Sequence, residues 1–331
     1  MSFSSKIITS LILLKILIIN SVFAATSEDN FDTWLTSYKK TALEKGISQK
    51  TIDITFKDVK FLEQVIKYDR RQPEFFEDTI TYVGKRATAS KAEKAKELLK
   101  KNTHLFSEVE KKFKVEKEVL LALWGIETHF GKHVGKMDII SSLATLSYDK
   151  RRRDFFSAQL FTLLKLIDKK LNDPATLYGS WAGAYGNFQF MPSTIINYAI
   201  DYDGDNKIEL KSSLADSLAS AANYINKIGW EEGQPCFYRV KLTKKVSKKY
   251  INSSAKNITH KLKISKWKRK VIVNIDGSEL KTNLKAALIL PDNKPGTPAY
   301  LVFENYEKIL KWNRSLRFGI SVCTLANMIK T

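Results

Sequence analysis

The chain has 331 residues, of which 44% are hydrophobic and 11% aromatic, and a formal net charge of +20. That apolar content is enough for one large domain, or a main domain with smaller appendages, and it excludes a globally disordered chain. Two cysteines and four scattered histidines make no zinc pattern, and the cationic balance suits an anionic polymer or an anionic membrane face.

Residues 1–24 read as a secretory signal peptide. Lys6 gives a positive start, residues 7–23 form a mainly apolar stretch interrupted by Lys15, and Val22-Phe23-Ala24 is a small-x-small cleavage site before a polar run. The alternative is an uncleaved anchor, but the apolar run is short of the ~20 residues that a span needs. No cysteine near the cleavage site offers a lipid anchor, and no later segment is long and apolar enough to span. Membrane association stays open, while an exported, periplasmic chain argues against nucleic acid as partner.

Residues 25–115 predict an N-terminal helical region, amphipathic over 32–45 and rich in Lys, Glu, Ala and Leu at helical spacing over 91–112. Residues 116–235 form a second unit. It continues helical to about 170, with a glycine-rich break over 125–135. Gly179, Gly183, Gly186 and Pro192 then mark tight turns and close backbone approach, and a helix follows over 214–228. Residues 236–331 change character. Between 239 and 270 stand thirteen basic residues and no acidic one. Apolar and basic residues alternate there (Val240, Leu242, Val246; Leu262, Ile264, Trp267), which predicts strands with one wet, cationic face. Further strands are predicted over 271–275 and 286–290 with a turn at Asp276-Gly277, and helices over 305–311 and 317–328. The whole reads as α+β, mostly α, with a small β-rich subdomain whose C-terminal helices return to the helical body.

The most informative segment is 119–131. On a helix, Val119, Leu120, Leu123 and Trp124 share a face, and Glu127 takes the next position on it. Burial disfavours a charged carboxylate, and a protonated acid at neutral pH is what general-acid cleavage of a glycosidic bond needs. Gly131 would end the helix and leave Glu127 at the lip of a cleft. A buried structural glutamate paired with Arg or Lys is the other reading of the same pattern.

Trp124-Gly125-Ile126-Glu127-Thr128, Gly131 and Ser142-Leu143-Ala144-Thr145-Leu146 resemble the core of the lytic murein transglycosylase B family. A second block runs from Gly179-Ser180-Trp181 through Tyr185-Gly186-Asn187-Phe188-Gln189-Phe190-Met191-Pro192. Ala222-Asn223-Tyr224-Ile225 gives a third, and Val302-Phe303-Glu304-Asn305-Tyr306 with Trp312-Asn313-Arg314-Ser315 resembles the last. The resemblance implies a lysozyme-like catalytic core with flanking helices. It also implies an enzyme that cuts the MurNAc-β-1,4-GlcNAc bond of peptidoglycan without water, leaving 1,6-anhydroMurNAc ends, with Glu127 as the one acid and base. Hydrolases usually need two carboxylates at defined separation, and no second acid falls in the glycine-rich block. By the same resemblance Ser180, Gln189, Tyr224, Arg151, Arg152, Trp312 and Asn313 contact substrate. The family often has tyrosine where Trp312 stands; sugar stacking survives that change, and a phenolic hydrogen bond does not. A hydrolytic muramidase on the same scaffold and a non-catalytic wall-binding protein are the rival readings. Other cell-wall enzymes are possible partners.

Asp201-Tyr202-Asp203-Gly204-Asp205-Asn206-Lys207 opens like an EF-hand loop, with carboxylates at positions 1, 3 and 5 and the Lys207 backbone carbonyl at 7. Asn206 replaces the usual glycine, and asparagine tolerates left-handed backbone. The family's longer variant of this loop implies Asp216 as the closing ligand. A structural Ca2+ is expected, against the alternative of acids facing solvent; catalysis needs no cofactor. Export permits a disulfide between Cys236 and Cys323, and the sequence leaves open whether they meet.

Overall fold

In the computed structural model residues 30–72, 76–270 and 272–331 are described; the expected signal peptide lies outside them. Six helices come first: α1 (Phe31–Glu44), α2 (Gln49–Thr55), α3 (Glu63–Arg70), α4 (Thr79–Arg86), α5 (Ala89–Lys101) and α6 (Thr103–Phe113). The predicted helix over 91–112 is therefore two helices, broken at Asn102, whose side-chain amide caps the Leu98 carbonyl. Next come α7 (Lys117–Thr128), β1 (Met137–Asp138), α8 (Ile139–Tyr148), α9 (Arg153–Asp168), β2 (Tyr178–Gly179), α10 (Pro192–Tyr198) and α11 (Leu214–Lys227). The last stretch holds β3 (Phe237–Leu242), β4 (Ile251–Asn252), β5 (Leu262–Lys263), α12 (Ile264–Lys268), β6 (Ile272–Asn274), β7 (Lys285–Ile289), β8 (Ala299–Val302), α13 (Glu304–Trp312) and α14 (Leu316–Lys330).

Helix α7 is apolar nearly all round. Val119 through Gly125 are all buried, and such a helix must be surrounded rather than laid on a surface. Its jacket is α14, α5, α6 and α11, which supply Phe106, Ala95, Val322, Leu325, Leu218 and Ile225. Leu120, Leu121 and Leu123 have no exposed surface, and full burial of one leucine contributes about 1.5–3 kcal/mol. A second cluster joins α1, α2 and α3 to α8 and α9 through Trp34, Ile52, Val65, Leu143 and Leu160. Ser48 caps α2 and, with Thr51, hydrogen-bonds Asp168 at the end of α9 (2.5 and 2.6 Å), so α2 is fixed to α9 by its own cap.

The main sheet runs β4-β7-β8-β3-β6, with β5 also on β7; β4 pairs in parallel with β7 and the remaining pairs are antiparallel. Its two central strands are buried on both faces. Alternate residues point to opposite sides. Accordingly Tyr300, Val302, Ala287 and Ile289 join the cluster around α7, while Ala299, Leu301, Ala286 and Leu288 join a third cluster with Trp267. The predicted wet, cationic face holds on β3, where Arg239 and Lys241 are exposed and Val240 is buried. It does not hold at 264–268, which is helix α12. Ile264 and Trp267, three apart, turn inward together, and the Trp267 indole donates to the Ala286 carbonyl at 2.8 Å.

Cys236 and Cys323 are joined by a disulfide across 87 residues, with their Cα atoms 6.0 Å apart. It ties the start of β3 to the buried face of α14. The helical body and the sheet thus share core and covalent linkage, and the boundaries expected near 115 and 235 do not divide the hydrophobic core. No helix among the described residues is long and apolar enough to cross a membrane.

Candidate active site

Helix α7 ends earlier than Gly131. Its C-cap is His129 (φ 52°), followed by Phe130 (φ 59°) and Gly131 (φ 82°), three residues in the left-handed region. Such backbone costs roughly 1–2 kcal/mol per non-glycine residue, so something must hold it. The Phe130 ring lies edge-on to Trp124 with centroids 5.6 Å apart. It packs so closely on α7 that a Cβ at Gly125 would sit 2.8 Å from it. This is why glycine stands mid-helix there, inside α7 rather than in a break. The Thr128 hydroxyl donates to the Asn187 carbonyl (2.7 Å) and accepts from Gly131 N–H (3.0 Å). Asn187 Oδ1 accepts the Trp124 indole N–H (3.2 Å). Buried Asn187 thereby couples the helix end to the glycine-rich block. The sequence quotes this residue within a motif but offers no signal for its role, since its partners lie 59 and 63 positions away.

Glu127 is half-buried, one residue before this locked end, so its side chain is presented by a rigid helix rather than by a loop. Burial is less complete than the apolar stripe implied. Its Oε1 accepts the Trp312 indole N–H at 2.9 Å. Trp312 closes α13 and sits among rings: Tyr224 at 5.2 Å, Phe190 at 5.3 Å and Phe188 at 6.3 Å between centroids. Tyr224 in turn lies 4.6 Å from Tyr198, and its hydroxyl donates to the Lys311 carbonyl at 3.1 Å. Burial, with Tyr198 beside it, pushes the Tyr224 phenol up to about 12. Glu127, Tyr224 and Trp312 thus come together from α7, α11 and α13.

Across this wall the glycine-rich block folds back on itself, with Tyr185 and Phe190 bridged by a pair of backbone hydrogen bonds. Gly186 (φ 77°) passes so near Leu210 that a Cβ would lie 2.4 Å from its carbonyl oxygen. Gln189 (φ 52°) donates its amide to the carbonyls of Gly186 (2.9 Å) and Val134 (3.1 Å), pinning the loop after α7 to the block. The Ser180 hydroxyl oxygen accepts Ala182 and Ala184 N–H at 3.2 and 3.0 Å, which shapes the turn at the start of the block. Asn313 is half-buried and caps α13 through its backbone N–H to Ile309.

Arg151 and Arg152 are placed differently from a solvated charge run. Arg151 Nε donates to Asp69 Oδ2 and its Nη2 to the Asp69 carbonyl, both at 2.7 Å; Arg152 is paired with Asp69 Oδ1. Asp69 is 2% exposed, and a buried carboxylate requires such partners. Each arginine keeps about a third of its side chain open (40% and 36%). Asp69, 82 residues from Arg151, carries no motif by which the sequence could reveal it.

The acidic loop gathers carboxylate oxygens of Asp201, Asp203 and Asp205 within 4.8 Å of one another. Ca2+ takes oxygens at roughly 2.3–2.6 Å, so oxygens on one ion lie within about twice that distance; hard oxygens at this spacing fit it. Asp201 accepts the N–H of Gly204 (2.7 Å) and Asn206 (2.9 Å), and Asp205 that of Lys207 (2.8 Å). Asn206 has φ 69°, the left-handed backbone its side chain tolerates. Asp216, the expected closing ligand, stands in the first turn of α11. It is fully buried, and its two oxygens accept Tyr202 N–H (2.7 Å) and Glu209 N–H (2.9 Å), clamping both arms of the loop from α11.

A family model described as the transglycosylase SLT domain matches residues 30–327. Over 120 residues, 36% of the chain, there is 42% identity to the membrane-bound lytic murein transglycosylase B of Escherichia coli K12, and the match spans 33% of that protein's length. SltB3 of Pseudomonas aeruginosa, solved in complex with NAG-anhNAM-pentapeptide, is similar at 33% identity and TM-score 0.80, over 91% of this chain and 80% of that one. The lytic transglycosylase Slt35 of Escherichia coli, solved in complex with calcium, is similar at 25% identity and TM-score 0.75, over 89% of this chain and 92% of that one.

Proposed function

The chain belongs to the transglycosylase SLT domain family, and from that premise we propose that it is a peptidoglycan lytic transglycosylase with Glu127 as its acid and base. The observation that carries the reading is Glu127 itself: a half-buried carboxyl on a rigid helix end, facing an aromatic wall that brings an N–H to one of its oxygens. In the first step protonated Glu127 gives its proton to the glycosidic oxygen between MurNAc and GlcNAc, and the C1–O bond breaks. In the second the carboxylate takes the proton of the muramyl C6 hydroxyl as that oxygen bonds to C1. The proton returns to Glu127, no water is consumed, and a 1,6-anhydro ring results. The binding of NAG-anhNAM-pentapeptide by SltB3 is in keeping with such a product.

Trp312 and Tyr224 offer ring faces for sugars, and Ser180, Gln189 and Asn313 line the groove with polar groups. The outer edges of Arg151 and Arg152 contact substrate while their inner edges hold Asp69. Asp201, Asp203 and Asp205, with the Lys207 carbonyl, hold a structural Ca2+ that supplies charge neutralisation to the loop and takes no part in the chemistry. Residues 1–24 direct export to the periplasm, where glycan strands are the partner. A labelling assay tests the reaction class. Borohydride reduces the free hemiacetal ends that a hydrolase creates and leaves 1,6-anhydro ends unlabelled. Digested peptidoglycan is expected to gain soluble fragments without gaining label; label rising with every bond cut would replace the lyase by a muramidase.

A further inference from the structure

We propose that Trp312 is a positioning residue for Glu127: its indole N–H fixes Oε1 as a hydrogen-bond acceptor, so that the transferable proton is carried on Oε2 in both halves of the reaction. The inference rests on the reading of Glu127 as the acid and base and adds which oxygen performs it.

An indole N–H donates and cannot accept, and its hydrogen lies in the ring plane with no rotor to turn it away. A hydroxyl, such as that of the tyrosine often found at this position in the family, can donate or accept and swings about its C–O bond. The 2.9 Å contact therefore has one sense only, Trp312 to Glu127 Oε1. A proton placed on Oε1 in that direction would face the indole hydrogen, so protonation goes to Oε2.

The indole is also rigidly held. Trp312 packs against Tyr224, Phe190 and Phe188, with interplanar angles of 31°, 55° and 67°. The backbone just before it is held by the Tyr224 hydroxyl on the Lys311 carbonyl, and the backbone just after it by Asn313 N–H on the Ile309 carbonyl. Neither ring nor chain can turn without breaking packing. A donor held in place before the reaction does not reorganise during it, which is the condition under which a hydrogen bond to a changing charge assists most. Its effect is directional, because a donor stabilises the carboxylate more than the acid. It assists the step that needs Glu127 as base and limits how far up the pH scale Glu127 serves as acid.

The test compares purified wild type with Trp312→Phe, Trp312→Tyr and Glu127→Gln, following soluble anhydro-muropeptide release for kcat, KM and their pH dependence, with melting temperature as the folding control. Trp312→Phe keeps a ring in the aromatic wall and removes the donor. It is expected to lower kcat about ten- to one-hundred-fold, as loss of one hydrogen bond to a charged group does, with a smaller change in KM. The alkaline limb should move to higher pH, because Glu127 without its donor keeps its proton longer. Trp312→Tyr, which regains a hydroxyl donor, should recover part of kcat and move the limb back. A folded Trp312→Phe with wild-type kcat and limb overturns the proposal. So does a fall in kcat with an unmoved limb that Trp312→Tyr shares, since that marks mere packing. Glu127→Gln separates the two levels: an inactive Gln variant beside a wild-type-like Phe variant sinks the role of Trp312 alone, whereas an active Gln variant sinks the reading of Glu127 and this proposal with it.

Discussion

The groove around Glu127 and the loop from Asp201 to Asp216 both depend on carboxylates, and they hold them in opposite ways. In the loop the acids are folded into the backbone: Asp201 and Asp216 each accept two N–H groups, and Asp205 accepts one. Those bonds form only when the loop has its shape, so they are the shape. In the groove Glu127 takes its indole N–H from a side chain 185 positions away, while the helix that carries it is fixed by apolar packing and by Thr128 and Asn187. An acid woven into backbone is structural; an acid offered on a scaffold that other residues hold is available for chemistry. Substitutions in the two regions should therefore fail in different ways.

The largest effect is expected at Glu127. Glu127→Gln should lower activity by about 10²–10⁴-fold, the usual contribution of a general acid or base, with an unchanged melting temperature. A variant that also lost stability would blur the contrast, and calorimetry beside the activity assay decides it. Asp216→Asn should do the reverse. The amide keeps one acceptor and turns a donor toward a backbone N–H, so a cost of about 2–4 kcal/mol in urea unfolding is expected for the fully buried group. Saturating Ca2+ should raise the stability of the wild type by about 2.7 kcal/mol at a hundred times its dissociation constant. That gain should vanish in Asp203→Asn and leave the Trp312 contact unaltered.

The smallest effect concerns pH. Burial holds the Tyr224 phenol at about 12 in the fold against an ordinary value of 10.0. The folded state keeps this proton better than the unfolded one, so the stabilisation is complete below pH 10 and is lost as pH rises toward 12. Tyr224→Phe should flatten part of the fall in melting temperature over that window, at a cost of about 1 kcal/mol near neutrality for the lost bond to the Lys311 carbonyl.

What was legible in the sequence follows the same division. Glu127, the glycine-rich block and the acidic loop each lie within one short run, where residue type and spacing narrow the reading and the family resemblance decides it. Asp69 and Asn187 draw their meaning from partners tens of residues away and leave no local trace. Strand β8 leaves no periodic signal because its four residues are buried on both faces, which erases the alternation that marks a half-wet strand. Leu262 and Ile264 fit a strand register, but Trp267, three positions after Ile264, shares a face with it only on a helix, and there its indole docks on the Ala286 carbonyl. The two cysteines gave no spacing to read, since it is the shared core of sheet and α14 that brings them together.

The most direct test of the account is mass analysis of the muropeptides released from purified peptidoglycan by the wild type and by Glu127→Gln, with both proteins shown to be folded. Anhydro-muropeptides from the wild type and none from the variant are the predicted result. Products heavier by one water, or equal release by the variant, would contradict the claim that Glu127 alone moves the proton.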